Sequence, residues 1–232
     1  MKRIAEFRGP SLLWLALVHI VLFMANMVAA AVLRHGALYV SPYAGAETIR
    51  LFFAQSPTAV KASSFFIFGS AVPLGIFAAT IVSRLRYLRV RAAGTNIALF
   101  GGFAAAGALV LCAFFSWALS SPGVTASAPV VQALCQLSFL SGGAGFAVAF
   151  GLLVAGVSVT SYFTRLLPRG VAIFGIVLAL AAELSSFSLI SYPANFFIPI
   201  TRYLGFVWMV LAAIKLAKSA PADQLSFTAE AA

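Results

Sequence analysis

The chain has 232 residues, 62% of them apolar and only 9% charged, with a mean hydropathy of +1.05. A soluble domain is nearer half apolar and a quarter charged, so that class is excluded, and the useful measure of length is the number of apolar runs of about 20 residues. The formal net charge of +10 would suit a nucleic-acid binder, yet the cations lie in short loops between apolar runs and no folded module carries them.

The first run covers residues 11–33 and follows Lys2, Arg3 and Arg8. Its basic lead and the small residues at 28–31 also fit a secretory signal. The apolar stretch exceeds the about 7–15 residues of a signal-peptide core, so an uncleaved membrane helix is expected. A long connection follows, and GAETIRLFFAQ (45–55) within it places Ile49, Phe52 and Phe53 on one helical face. This predicts a short amphipathic helix at the outer interface, either packed down as a loop or poised as a lid. Ser56 and Pro57 then supply an N-cap and a first-turn proline for the second span, whose apolar part is 63–82 and which should bend at Pro73.

The third span is 95–119, the fourth 130–158, the fifth 171–190 and the sixth 197–216. All must be helices, because backbone groups in hydrocarbon have no water to bond. The expected fold is therefore an all-α integral membrane protein, a single six-helix bundle over 1–220, with a disordered tail at 221–232. Residues 97–101 and 171–175 match at an offset of 74, a faint parallel repeat that aligns Glu183 with Leu109 and so leaves the acid outside it. Small residues recur every fourth position at Gly143, Ala147, Gly151 and Ala155, and in the third span at Gly101, Gly102, Ala105 and Ala106. Such faces allow close helix packing, and the Gly143, Ala147, Gly151 face is a candidate homo-oligomer contact. The SGGAG run lies inside a span and lacks the lysine of a phosphate loop.

Charge sets the orientation. Lys2, Arg3, Arg8, Arg84, Arg86, Arg89, Arg91, Arg165, Arg169, Lys215 and Lys218 fall on one side, against Arg34, Arg50, Lys61 and Arg202 on the other. By the positive-inside rule both termini are cytoplasmic, and the basic loops meet anionic headgroups. Trp14, Tyr87 and Tyr162 fall near the inner boundary. Tyr39, Tyr43, Trp117, Tyr192 and Tyr203 fall near the outer one, as interfacial rings should.

The candidate functional residues are the polar side chains within the spans. Glu183 lies ~18 Å past Val171, and Arg202 ~7 Å below the outer boundary. A lone charge at mid-membrane costs about 2.5 kcal/mol or more, so these two are expected to pair across neighbouring helices. Asn26, Gln132 and Gln136 gather in the outer half, while His19 lies deeper on the face of Asn26. The inner half offers much less, with Thr80, Asn96 and His19 as its main candidates. This asymmetry predicts an outward-facing polar pocket with Glu183 at its floor, against the plainer alternative that these groups only join helices. No HExxH, GxSxG or paired intramembrane carboxylates are present, so no catalytic residue, metal or cofactor is implied. Cys112 and Cys135 are expected as unpaired small apolar residues.

The C-terminal third, with LPR before the fifth span, ELSSFSL inside it and Pro199-x-Thr201-Arg202-Tyr203-x-Gly205-x-x-Trp208 in the sixth, resembles bacterial six-helix membrane proteins classed only as a domain of unknown function. The third span, GGFAAAGALVLCAFFSWALSSP, shares this likeness. The resemblance implies a multi-pass bacterial inner-membrane protein and brings no catalytic residues. The sequence reading is thus a non-enzymatic protein that binds a small ligand or proton, with transport as an extension. Its alternatives are a structural or regulatory partner of another membrane protein, and more remotely an intramembrane enzyme using Glu183.

Overall fold

The structure is a computed structural model that describes residues 9–35 and 39–217. Lys2, Arg3, Arg8, Lys218 and the 221–232 tail lie outside the described residues. Among those described there is no strand, and six helices are long and apolar enough to cross a membrane.

Helix α1 (Leu12–Leu33) starts at Ser11, whose hydroxyl accepts from the Trp14 amide at 3.4 Å, an N-cap satisfying one orphan donor. Helix α2 (Ala46–Gln55) is the predicted amphipathic piece. Helix α3 (Pro57–Tyr87) begins at the proline, runs unbroken through Pro73 and extends past the apolar stretch to Arg84 and Arg86. Then come α4 (Ala93–Ala118), the short α5 (Pro122–Thr125) and α6 (Ala128–Leu140). A five-residue π turn, Ser141–Gly145, joins α6 to α7 (Phe146–Thr164), so the fourth span is one long interrupted helix. The fifth is α8 (Arg169–Leu184) with a 3-10 turn, Ser185–Leu189. A second 3-10 turn, Tyr192–Phe196, leads into α9 (Phe197–Ala217).

The spans pack in chain order. Each of α1, α3, α4, α7, α8 and α9 lies against the next, and α9 closes back on α1. The ring is filled by one core that includes Leu74, Phe77, Phe146, Phe150, Leu153 and Trp208. Close approach between α4 and α7 depends on small residues: a Cβ on Gly101 would lie 2.5 Å from the Leu153 nitrogen and 2.6 Å from the Ala149 oxygen. The Gly143, Ala147, Gly151 face packs within the chain. Gly143 meets Ile198, Gly151 meets Ala182, and Ala147 is buried. In hydrocarbon such packing replaces the hydrophobic drive that holds soluble helices together.

One end of the ring is capped. Ile49 and Phe53 of α2 are fully buried in a second small core with Val60, Leu119, Val131 and Cys135. Arg50 pairs with Glu47 at 2.6 Å and donates to the Thr125 carbonyl at 3.3 Å, tying α2 to α5. Of the two readings of this segment, packed element or lid, the structure has the packed one. The opposite, basic end carries Arg84, Arg86, Arg89, Arg91, Arg165, Arg169 and Lys215. The two cysteines are free; Cys112 contacts the Ser138 hydroxyl, which also bonds Ser116 at 2.7 Å and joins α4 to α6.

Candidate functional site

The most unusual side chain in the bundle is Arg202, one and a half turns into α9. Its surroundings follow from the π turn. Three glycines in the five residues Ser141–Gly145 weaken the α-helical preference there and admit the wider turn. Gly142 also has to be small, because a Cβ would stand 2.6 Å from the Cys112 sulfur. The carbonyl of Gly142 accepts a hydrogen bond from Nη2 of Arg202. The guanidinium lies between two rings, with Cζ 4.8 Å from the centre of Phe23 on α1 and 5.0 Å from that of Phe146 on α7.

No ion pair joins Arg202 to Glu183, and the expected pairing of the two is corrected. Among the described residues the salt bridge is Glu47–Arg50. The reason is the rotation of α8. Its small residues Ala172, Gly175, Ala179 and Ala182 form the buried face, and Gly151 on α7 meets Ala182 there. That close contact fixes the helix azimuth and turns Glu183 outward, beside the exposed Val177, Leu180, Leu184 and Phe187. Glu183 is therefore not the floor of a pocket inside the bundle. No hydrogen bond or ion pair reaches its carboxylate; the Ser186 hydroxyl bonds its main-chain carbonyl instead.

Arg202 is held without an acid. A hydrogen bond from a charged donor contributes about 1.5–3 kcal/mol, and a cation over an aromatic face about 0.5–2 kcal/mol. Two rings and one carbonyl together offset the about 2.5–3.5 kcal/mol cost of a cation in a spanning helix. The Arg202 Nε is buried and unpartnered. Two more buried groups without partners lie on adjoining segments. They are the hydroxyl of Thr201 and that of Ser188, in the 3-10 turn that packs on the π turn.

His19 is fully buried, with Nδ1 2.8 Å from the Ser70 carbonyl. A carbonyl only accepts, so Nδ1 carries the proton and Nε2 is left without a partner. The His19 ring meets Phe206 edge-on at 5.5 Å, and Phe206 meets Phe23 at 5.5 Å. His19 thus stands behind the aromatic wall of Arg202. Asn26 is one turn beyond Phe23 on the same buried face and accepts from the Ser63 hydroxyl, joining α1 to α3. Gln132 is half-buried and Gln136 exposed on α6, and neither hydrogen-bonds Arg202, His19 or Asn26. Of the six predicted residues the structure gathers Arg202, His19 and Asn26 in one region and leaves the other three outside it.

Sequence reasoning passed over the rest of this region. Toward the capped end, Tyr43 packs edge-on against Tyr192 at 5.0 Å and Phe139 at 5.9 Å. The Asn195 amide donates to the Tyr43 hydroxyl at 3.0 Å, while its own oxygen is unpartnered. These groups lie toward the capped end from Arg202, since Asn195 precedes it on the α9 segment and Phe139 precedes the π turn. The signal in the sequence was SGGAG itself, a glycine cluster inside a span.

The basic half is also more polar than expected. Ser158, Ser161 and Trp208 are fully buried and their side-chain polar atoms lack partners. Ser158 and Trp208 close over Gly175, where any Cβ would collide with both. A separate cavity of about 500 Å³ opens at the basic end, lined by residues including Arg86, Arg91, Thr95 and Asn96. It lies toward the opposite end of the bundle from Arg202, and none of its lining residues belongs to that site.

Comparison with family models, curated proteins and solved structures returns no match. The functional reading therefore rests on the geometry around Arg202.

Proposed function

We propose that the protein is a non-enzymatic multi-pass protein of a bacterial inner membrane, related to the six-helix proteins it resembles, that binds a small anion at Arg202 from the outer side. The basic end faces the cytoplasm on this reading, by the positive-inside rule, and the α2 cap faces out. The observation that carries it is a partly buried guanidinium inside a helical bundle, with a free Nε–H and no carboxylate beside it. Burial strengthens a charge-assisted bond and leaves an unmet donor costly, so an acceptor arriving there gains on both counts. Thr201 and Ser188 supply hydroxyls for a polyatomic anion, and the Tyr43–Asn195 contact borders the entry.

The test is thermal unfolding of the purified protein in non-ionic detergent, titrated with chloride, acetate or phosphate against a bulky sulfonate at constant ionic strength. A ligand of the native state stabilises by about 2.7 kcal/mol at a hundredfold excess over its Kd. Such a rise is expected with at least one small anion, retained in Arg50→Gln and lost in Arg202→Gln. An equal rise in Arg202→Gln, or none with any anion, refutes the assignment.

A further inference from the structure

Glu183 raises a second question, independent of the Arg202 reading. Its carboxylate lies ~18 Å along α8 from Val171, within the apolar thickness, and on the outer surface of the ring. The surrounding face is an apolar ridge of Val177, Leu180, Leu184 and Phe187, all exposed. Hydrocarbon offers neither a counter-charge nor a hydrogen-bond donor, so a bare acid there is unfavourable whether it is ionised or neutral.

Among the described residues no cation pairs with Glu183. Arg202 is enclosed by Gly142, Phe23 and Phe146. Arg34 donates to the Ala30 carbonyl and stacks on Tyr39, and Lys61 stands near the start of α3 at the capped end. A second copy docked on the same face by a two-fold axis would bring acid against acid. Charge complementarity therefore selects a different occupant.

We infer that the exposed face of α8 docks a transmembrane helix of another protein that carries a lysine or arginine at the depth of Glu183. Each charge alone is unfavourable in hydrocarbon. Brought together, each satisfies the other, so the pair forms in the membrane where an apolar helix would gain little. The ridge on either side of Glu183 supplies the packing surface, and the acid sets the register.

The experiment uses the full chain, fluorescently labelled, in bilayers of neutral phospholipid at neutral pH. The probes are synthetic polyleucine spanning peptides with a single Lys, Arg, Gln or Leu at the mid-span position, read by energy transfer. The Lys and Arg peptides are expected to associate at least ~10-fold more tightly than the Leu peptide. That preference should vanish in Glu183→Gln and Glu183→Leu and persist in Arg202→Gln, which keeps it separable from the anion site. Equal association of all four peptides overturns the inference, as does a preference that survives both Glu183 variants. Self-association of the wild type that is lost in Glu183→Leu would assign the face to a second copy and overturn it equally.

Discussion

The relation between Glu183 and Arg202 can be decided by a double-mutant cycle. Consider Arg202→Met first. It removes the bond to the Gly142 carbonyl, about 1.5–3 kcal/mol for a charged donor, and two ring contacts of about 0.5–2 kcal/mol each. It also removes a cation whose placement in the span costs about 2.5–3.5 kcal/mol. The terms nearly cancel, so the variant should lie within about 1–2 kcal/mol of the wild type, on the destabilised side. Glu183→Gln replaces a carboxyl that no group among the described residues meets, and it should be neutral or stabilising. Because the two side chains do not touch, the double variant should equal the sum within about 0.5 kcal/mol. The assay is reversible unfolding in mixed micelles, followed by Trp fluorescence and helical circular dichroism. A coupling energy above about 1.5 kcal/mol would mean the two charges meet, and the geometry described for α8 and α9 would be wrong.

Three other outcomes follow from the packing. Gly175→Ala drives a methyl into Ser158 and Trp208 and should destabilise by about 1–3 kcal/mol in the same assay, with part of the loss recovered in Gly175→Ala/Ser158→Ala. Phe53→Ala empties the small core under α2 and should cost about 3–5 kcal/mol, or release α2 alone, which amide exchange of residues 46–55 would show. The Arg50 hydrogen bond holds the Glu47 carboxyl below its ordinary range, so its contribution is complete above the usual carboxylate pKa and is lost as pH falls through the depressed value. Acid should therefore lower the amide-exchange protection of α2, measured against the intrinsic rate at each pH, and Glu47→Gln should show the lowered protection at every pH.

The number of spans, the helical segments and the amphipathic α2 were legible in the sequence because each is dictated by local pattern: run length, period and an N-terminal proline. Helix azimuth was read only in part. His19 and Asn26 shared a face through their spacing of seven, and the structure keeps it, with Phe23 between them. Glu183 was placed by depth alone, which is blind to rotation. The period of Ala172, Gly175, Ala179 and Ala182 already marked the buried side of α8, and it points the acid outward. The environment of Arg202 was less accessible, since it needs one carbonyl released by a π turn and rings from two other helices. Ser158 and Trp208 look ordinary in sequence and become notable only when α8 presses Gly175 between them.

The ring also has a seam. Five of its six junctions join helices that are consecutive in the chain, and the sixth sets the first span against the last. Hairpin after hairpin can therefore assemble as the chain enters the bilayer, each with a partner already present. Arg202 lies at the seam, because one face of its cation rests on Phe23 of α1 and the other on Phe146 of α7. Until α1 comes round, that cation is only half enclosed. Ring closure is thus the step that shelters the charge, and a cut or permutation of the chain elsewhere should be tolerated better than loss of α1.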